Sequence, residues 1–450
     1  MGLRLLESDR QPANTSSAAT PTFAEALAVW TKIGFLSFGG PAGQIALMHR
    51  ILVDERRWLG ERQYLSALNF CMLLPGPEAM QLATYAGWRL HGVAGGLAAG
   101  LMFVLPGAAL ILALAALYLT FGNTDVATSA FVGIKAAVVV IVVEALLRVS
   151  KRALKQRVDW LIAGAAFLAI YAFRVPFPLI IAAAALAGYA LRSSAGGAQR
   201  EAAGPPLTRA HGEASIAGAA GTAALWLAIW IGPLAVMAAV LGSGHVLSQI
   251  AWFFSKLAVV TFGGAYAVLA YMAQEVVQGY RWLAPGEMLD ALGLAETTPG
   301  PLILVTEFVG ALAAARASGE TSLWLALAGA VVTLWATFAP CFLWIFTGAP
   351  FIERLTAMPR LQAALSGVTA AVVGVILNLS LWFALHVIFA RVAETQVGPL
   401  RLELPVLTSV DAVAAALTGV AAVLLLIRHR SILTTLAVCA ALALAARSFM

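Results

Sequence analysis

Charged residues are scarce in this chain of 450 residues. Only 11% are Asp, Glu, Lys or Arg, whereas 61% are hydrophobic, and the mean hydropathy is +0.89. A water-soluble protein of this length needs far more polar material to cover its surface. The lack of charge therefore excludes a globular protein in water and leaves the membrane as the solvent.

Residues that carry disulfide, metal or nucleotide chemistry are also lacking. The three cysteines include no CxxC pair, which excludes a disulfide framework and a redox dithiol. The six histidines are scattered without metal-ligand spacing, and no Walker A, GxSxG or dinucleotide-binding glycine pattern occurs. The sequence thus predicts no cofactor, no metal and no catalytic residues. Without an ATP site, we expect an ion gradient or the membrane potential to supply energy.

Long apolar runs are what the chain has instead. Residues 92–121, 126–147 and 215–241 each exceed the roughly 20 residues that cross a bilayer as a helix. They are continuously apolar, not alternating, which excludes a β-barrel. We therefore expect an all-α polytopic (multi-pass) membrane protein, in contact with the lipid bilayer. The net charge of +6 resides in short loops, as the positive-inside rule predicts, so no nucleic-acid partner is expected.

The chain contains an internal repeat. A shift of 224 residues aligns Lys32–Pro77 with Lys256–Pro301 at 16 identities in 46 positions, and a shift of 234 aligns Pro106 with Pro340. The identities include a Phe-Gly-Gly motif, an Arg-Trp-Leu motif and a Pro-Gly-Pro motif in each half. Such self-similarity indicates two copies of one structural unit.

Loop charges predict that the two units have opposite orientations. Residues 49–62 hold four arginines, whereas the equivalent residues 273–286 hold only Arg281. The loop at 148–157 holds five Lys or Arg residues, and its counterpart near Arg391 holds one. Since positive loops stay in the cytoplasm, we expect inverted-topology repeats.

The repeat also defines the expected domains. They are a polar N-terminal tail (1–22) without the features of a signal peptide, a first transporter repeat (23–191), a cytoplasmic linker (192–214), a connecting transmembrane helix (215–241) and an inverted second repeat (248–446).

The segments beside the Phe-Gly-Gly and Pro-Gly-Pro motifs are about half a span long. We expect two re-entrant, broken helical hairpins in each half, with tips near the middle of the membrane. The alternative is an ordinary span kinked at Pro and Gly. Helix N-termini at such tips offer N–H donors and positive dipole ends to an anion. The predicted substrate-binding residues of the tips are Phe38, Gly39, Gly40, Pro75, Gly76 and Pro77, and Phe262, Gly263, Gly264, Pro299, Gly300 and Pro301.

Three ionisable residues add to this candidate site. Lys32 and Lys256 occupy equivalent positions, six residues before Phe38 and Phe262. They either form a cationic pair that attracts an oxyanion or extend to the membrane surfaces. Glu78 follows the first Pro-Gly-Pro motif and is a candidate for proton coupling; the alternative is simple stabilisation of the helix N-terminus.

These duplicated motifs resemble the long-chain, two-domain members of the chromate ion transporter family. The resemblance covers both halves of the chain and adds Pro41 to the motif residues, although Ala265 replaces it in the second half. It implies a multi-pass protein of the bacterial inner (plasma) membrane that exports chromate, driven by the proton-motive force, and so confers chromate resistance.

Two alternatives stay open at this point. Sulfate has the same charge and shape as chromate, so a transporter of sulfate or another tetrahedral oxyanion fits equally well. A membrane-embedded enzyme is the alternative of another class, and the missing catalytic motifs argue against it. A homodimer is compatible with the sequence.

Overall fold

The computed structural model describes residues 21–193, 215–260, 262, 265–317, 319–352, 355, 358–398 and 400–448. The predicted N-terminal tail and linker, apart from their edges, lie outside these residues. The helices are α1 (Phe23–Leu36), α2 (Gly40–His49), α3 (Glu61–Leu73), α4 (Glu78–Phe121), α5 (Asp125–Ala153), α6 (Arg157–Tyr171), α7 (Phe177–Ser193), α8 (Ile216–Leu241), α9 (Val246–Val260), α10 (Ala265–Gln274), α11 (Pro285–Glu296), α12 (Val305–Ala315), α13 (Leu323–Gly348), α14 (Pro359–Ile388), α15 (Ala412–Ala422) and α16 (Ile432–Ser448).

Helices long and apolar enough to cross a membrane dominate the fold. Among the described residues they are α4, α5, α8, α13 with its 3₁₀ extension to Phe351, and α14. The prediction of a helical, multi-pass membrane protein is confirmed. Most residues of helix α8, which connects the halves, are exposed, so much of its apolar surface is left for lipid.

One β-hairpin departs from the all-α prediction. Strands β1 (Val392–Val397) and β2 (Leu400–Pro405) pair antiparallel, with Val397 opposite Leu400. Gly398 lies at the turn with φ of +60°, a conformation that glycine adopts without steric cost. The strands alternate short apolar stretches with Glu, Thr and Arg, which favours a half-exposed strand over a buried helix.

The first two helical pairs are hairpins that begin and end at one face of the molecule. Glu25 at the start of α1 forms an ion pair of 2.9 Å with Arg56, just beyond α2 and its π-helical extension. His91 donates from Nε2 to the carbonyl of Pro21 at 2.8 Å. At His91 and Gly92 the backbone of α4 leaves helical geometry, so a half-length helix is followed by a full span. We call this end of the molecule the first face.

The base of the α11–α12 hairpin in the second half lies at the other end of the molecule, the second face. The span of α4 leaves the first face at Gly92 and reaches Tyr118 about 40 Å further on. There Tyr118 donates to Asp290 of α11 at 2.9 Å. Nearby, Arg316 and Glu287, which flank the α11–α12 hairpin, form an ion pair of 2.7 Å.

Backbone details recur between the halves at the spacing of the sequence repeat. Arg57 and Arg281 both have positive φ, +53° and +56°, although neither is glycine. Each follows a short π-helical segment, Arg50–Glu55 or Glu275–Gly279. The ring of Trp58 contacts Trp30 at 6.4 Å, as Trp282 contacts Phe254 at 6.5 Å. The two copies therefore fold alike at their hairpin bases.

Each half also packs a helical pair against the other half. Helices α6 and α7 pack on α14, and α15 and α16 pack on α5. Glycines allow the closest approaches: a Cβ at Gly133 would lie 2.1 Å from the carbonyl oxygen of Cys439, and one at Gly367 would lie 2.3 Å from that of Ala184. Each half thus supplies a helical pair to the other half, which we call the exchange of helical pairs. Since Gly133 and Gly367 are repeat equivalents, the two contacts are related by the repeat.

Candidate functional site

The hairpin tips of opposite halves meet inside the molecule. The backbone N–H of Gly300 donates to the carbonyl of Ser37 at 2.9 Å, which joins the second Pro-Gly-Pro turn to the start of the first Phe-Gly-Gly motif. The amide of Gln44 reinforces the junction by donating to the carbonyl of Gly300 at 2.5 Å. Residues that are far apart in sequence therefore form one central contact.

The first Pro-Gly-Pro turn lies beside a small cavity near the end of α9. Gly76 and Pro77 of the first Pro-Gly-Pro turn line it, facing Leu257 and Ala258 near the end of α9 and Thr337 of α13. Its volume is about 10 Å³, close to the least that holds one water molecule. Phe262 is half-buried, and Gly263 and Gly264 lie outside the described residues.

Glycine is required where the backbone turns at the tips. Gly39, Gly40, Gly76 and Gly300 have φ of +84°, +71°, +113° and +88°. Side chains with a Cβ rarely adopt these values. At the three tips that the structure describes, the glycine of the motif therefore permits the break in the hairpin.

Helices that begin at the tips lack side-chain caps. The residue that precedes α2, α4 and the 3₁₀ turn before α12 is Gly39, Pro77 and Pro301, respectively, and none of these three has a side chain that accepts a hydrogen bond from the helix it precedes. Five other helices have such a cap, from Thr22, Thr124, Ser215, Ser322 and Asp411. Uncapped N-termini present unpaired N–H groups and a positive dipole end. The N-termini of α2, α4 and the 3₁₀ turn before α12 therefore present such groups at the tips.

Two buried glutamines belong to the site and were not predicted. Gln44 and Gln81 each follow a tip by four residues, and each is fully buried. Gln81 donates to the carbonyl of Pro75 at 2.6 Å. Among the described residues, the Oε1 atoms of both side chains have no hydrogen-bond partner. The equal offset from each motif is the signal that could have identified them; the second half has Val268 and Val305 instead.

No described contact joins Lys32 or Lys256, the predicted lysine pair, to the residues of the tips. Lys32 and Lys256 are both exposed, and neither forms an ion pair within the described chain. Lys256 lies with Nζ 5.5 Å from the centre of the Tyr271 ring, a cation–π arrangement. Phe38 is 39% exposed, and Pro41 and Glu78 are half-buried.

Most other intramembrane charges have partners. Glu144 pairs with Arg148 at 2.5 Å, and Glu296 accepts from Tyr266 at 2.9 Å. Lys135 lies 3.3 Å from Asp290.

The Lys135–Asp290 pair joins the two halves and has no counterpart at the repeat-equivalent positions. Tyr118 donates to the same carboxylate, so the cluster ties α4 and α5 to α11 at the second face. The repeat equivalents of Lys135 and Asp290 are Thr369 and Ser66, which cannot form an ion pair. The two halves are therefore alike in backbone and different in charge.

Comparisons with known proteins identify relatives of both halves. A family model described as "Chromate transporter" matches residues 24–189 and again 248–446. A chromate transport protein of Pseudomonas aeruginosa is 34% identical over 80% of this chain and 82% of its own length. One from Cupriavidus metallidurans is 30% identical over 81% and 85%. An uncharacterized transporter of Bacillus subtilis is 28% identical over 33% of this chain and 85% of its own length. No solved structure matches.

Proposed function

The chain belongs to the chromate transporter family, and from that premise we propose that it exports chromate from the cytoplasm through the junction of the hairpin tips. The proton-motive force or the membrane potential drives export, and the result is chromate resistance. The observation that carries the proposal is the set of three uncapped helix N-termini at the tips.

Backbone N–H groups suit a tetrahedral dianion. They can replace its hydration shell without burying a full opposite charge, and helix dipoles add attraction. The predicted substrate contacts are the glycines and prolines of the tips, with the amide groups of Gln44 and Gln81 beside them. Lys32 and Lys256 act before this step, since exposed cations raise the local concentration of an anion.

The two halves act as inverted repeats in the bacterial inner membrane. Hairpin bases at opposite faces support this topology, as does the excess of Arg and Lys at the first face, which the positive-inside rule assigns to the cytoplasm. In such transporters one unit moves against the other around a central site. Here the site is the contact between Gly300 and Ser37, which joins the units.

Transport by purified protein in lipid vesicles tests the proposal. Vesicles loaded with labelled chromate should exchange it for external chromate, and the chromium inside should stay hexavalent. Reduced chromium would indicate an enzyme. Unlabelled sulfate, added as a competitor, tests the rival substrate. If sulfate inhibits the exchange as strongly as unlabelled chromate does, the site accepts tetrahedral oxyanions in general. No exchange above protein-free vesicles would refute the proposal.

Glu78 gives a separate test of coupling. It lies at the first position of α4, beside the first tip. If it carries the coupled proton, Glu78→Gln removes the dependence of chromate transport on an imposed pH gradient. Unchanged dependence assigns Glu78 to stabilising the helix N-terminus.

A further inference from the structure

Glu307 is a buried acid to which the described residues donate no hydrogen bond. Its residue surface is 1% exposed, and every residue of α12, on which it lies, is buried. No donor within the described chain reaches its Oε2 atom. Burying a carboxylate without a partner is costly, and such groups in membranes mark ion or proton pathways.

The other buried carboxylates of the described chain are partnered. Asp159 accepts from the backbone N–H groups of Lys155 and Gln156 at 3.0 and 2.8 Å. Asp290 accepts from Tyr118, and Glu296 accepts from Tyr266. Glu307 therefore differs from its peers in a way that burial alone does not explain.

Packing does not require an acid at this position. The repeat equivalent of Glu307 is Ala83, which is fully buried on the matching helix. Glu307 does lie in the first turn of α12, where the helix dipole stabilises a carboxylate by up to about 2 kcal/mol. That gain is smaller than the several kcal/mol of removing the charge from water, so capping does not account for the residue.

The seam between α12 and α13 links Glu307 to the tips. Ile303 lies in the 3₁₀ turn before α12, Glu307 and Gly310 are three residues apart on α12, and Gly310 packs against Thr333 of α13. One turn further along α13, Thr337 lines the cavity at the first Pro-Gly-Pro turn together with Ile303. The hydroxyl of Thr337 also has no partner among the described residues.

No other titratable group neutralises Glu307 in the described chain. Helix α13 carries only Cys341, and α9 carries only Lys256, which lies over the ring of Tyr271. In α11, all three acids have partners of their own. The titratable residues of α4 are Glu78, Tyr85, Arg89, His91 and Tyr118, and none of them has a described bond to Glu307.

We propose that Glu307 is the site that binds the proton coupled to oxyanion transport, with Thr337 and the adjoining cavity on its path to the tips. The carboxylate takes up one proton from one side of the membrane and releases the same proton to the other. The Glu307 side chain is then neutral while it holds the proton and negative after it releases it. This change of charge couples the proton to the movement of the tips. This inference rests on the proposed function.

Two transport assays on the same vesicles test the proposal. In the first, labelled chromate exchanges for unlabelled chromate at equal pH on both sides, which needs no net proton movement. In the second, an imposed pH gradient drives net chromate transport. Glu307→Gln mimics the protonated acid, so exchange should continue at the wild-type rate while gradient-driven transport falls to that of protein-free vesicles. Glu307→Asp should retain both activities.

Glu296→Gln is the matched control, because Glu296 is buried in the same half but bonded to Tyr266. It should retain gradient-driven transport. Gradient-driven transport by Glu307→Gln at the wild-type rate would overturn the inference and leave Glu78 as the candidate carrier of the proton. Loss of exchange in that variant would also overturn it, because the residue would then serve the fold or the substrate. Failure of exchange in the wild type would instead refute the proposed function itself.

Discussion

Replacing Lys135 by Met should destabilise the protein because it strands a buried negative charge. Lys135 lies 3.3 Å from Asp290, whose side chain is only 4% exposed. At that distance and an effective dielectric constant of about 20, the attraction is about 5 kcal/mol. Removing one partner of a buried pair costs roughly 3–5 kcal/mol. The 27% exposure of Lys135 places the expected loss near the lower limit, at about 3 kcal/mol.

The second substitution makes the prediction specific. Asp290→Asn removes the stranded charge while its side chain still accepts from Tyr118. The double variant Lys135→Met/Asp290→Asn should therefore be more stable than Lys135→Met alone, and the coupling energy in the double-mutant cycle should be about 2 kcal/mol.

Unfolding by a denaturing detergent, followed by the fluorescence of the 12 tryptophans, measures the four stabilities. The control cycle uses Arg148→Met and Glu144→Gln, because that pair lies within one helix and is more exposed. Its coupling should be only about 0.5 kcal/mol. If the losses from Lys135→Met and Asp290→Asn simply add in the double variant, the ion pair does not act as reasoned.

Three further predictions concern the tips and the approach of the anion to them. Gly107→Ala should prevent folding or abolish transport, because its Cβ would lie 2.2 Å from the carbonyl oxygen of the second Pro-Gly-Pro turn; Gly232→Ala, with open space at its Cβ, should be neutral in transport and expression. Ala42→Cys, exposed beside the first tip, should react with a hydrophilic thiol reagent, whereas Ala228→Cys in the lipid-facing α8 should not; equal labelling would contradict a water-filled approach. Lys32→Met should lower chromate transport with the protein still in the membrane, Lys32→Arg should retain it, and full activity of the Met variant would remove the lysine from the pathway.

The helices and their breaks were predictable because they depend on local chemistry. Apolar runs define spans through their length, and Gly or Pro defines a break through backbone sterics. The φ of +88° at Gly300 is a property that the motif alone indicates. By contrast, the β-hairpin at 392–405 was missed, because its mixed polar and apolar pattern resembles a loop until Gly398 forms the turn.

Contacts between the tips could not be predicted from sequence. The bond from Gly300 to Ser37 depends on how two halves dock, and no local pattern encodes that geometry. Gln44 was visible only as a polar residue in an apolar helix, and its role follows from the carbonyl it reaches across the junction. The partners of Glu296 and Lys135 likewise depend on packing between helices.

The exchange of helical pairs between the halves has a consequence for biosynthesis. Gly133 of α5 packs against Cys439 of α16. The ribosome adds Cys439 306 residues after Gly133 (439 − 133). At about 5–20 residues per second, that delay is roughly 15–60 s. During it, the small-residue surface of α5 faces lipid or the insertion machinery, so the first half cannot reach its final form before the second is made. A chain with only one half, by the same geometry, would have to borrow the missing helical pair from a second copy of itself.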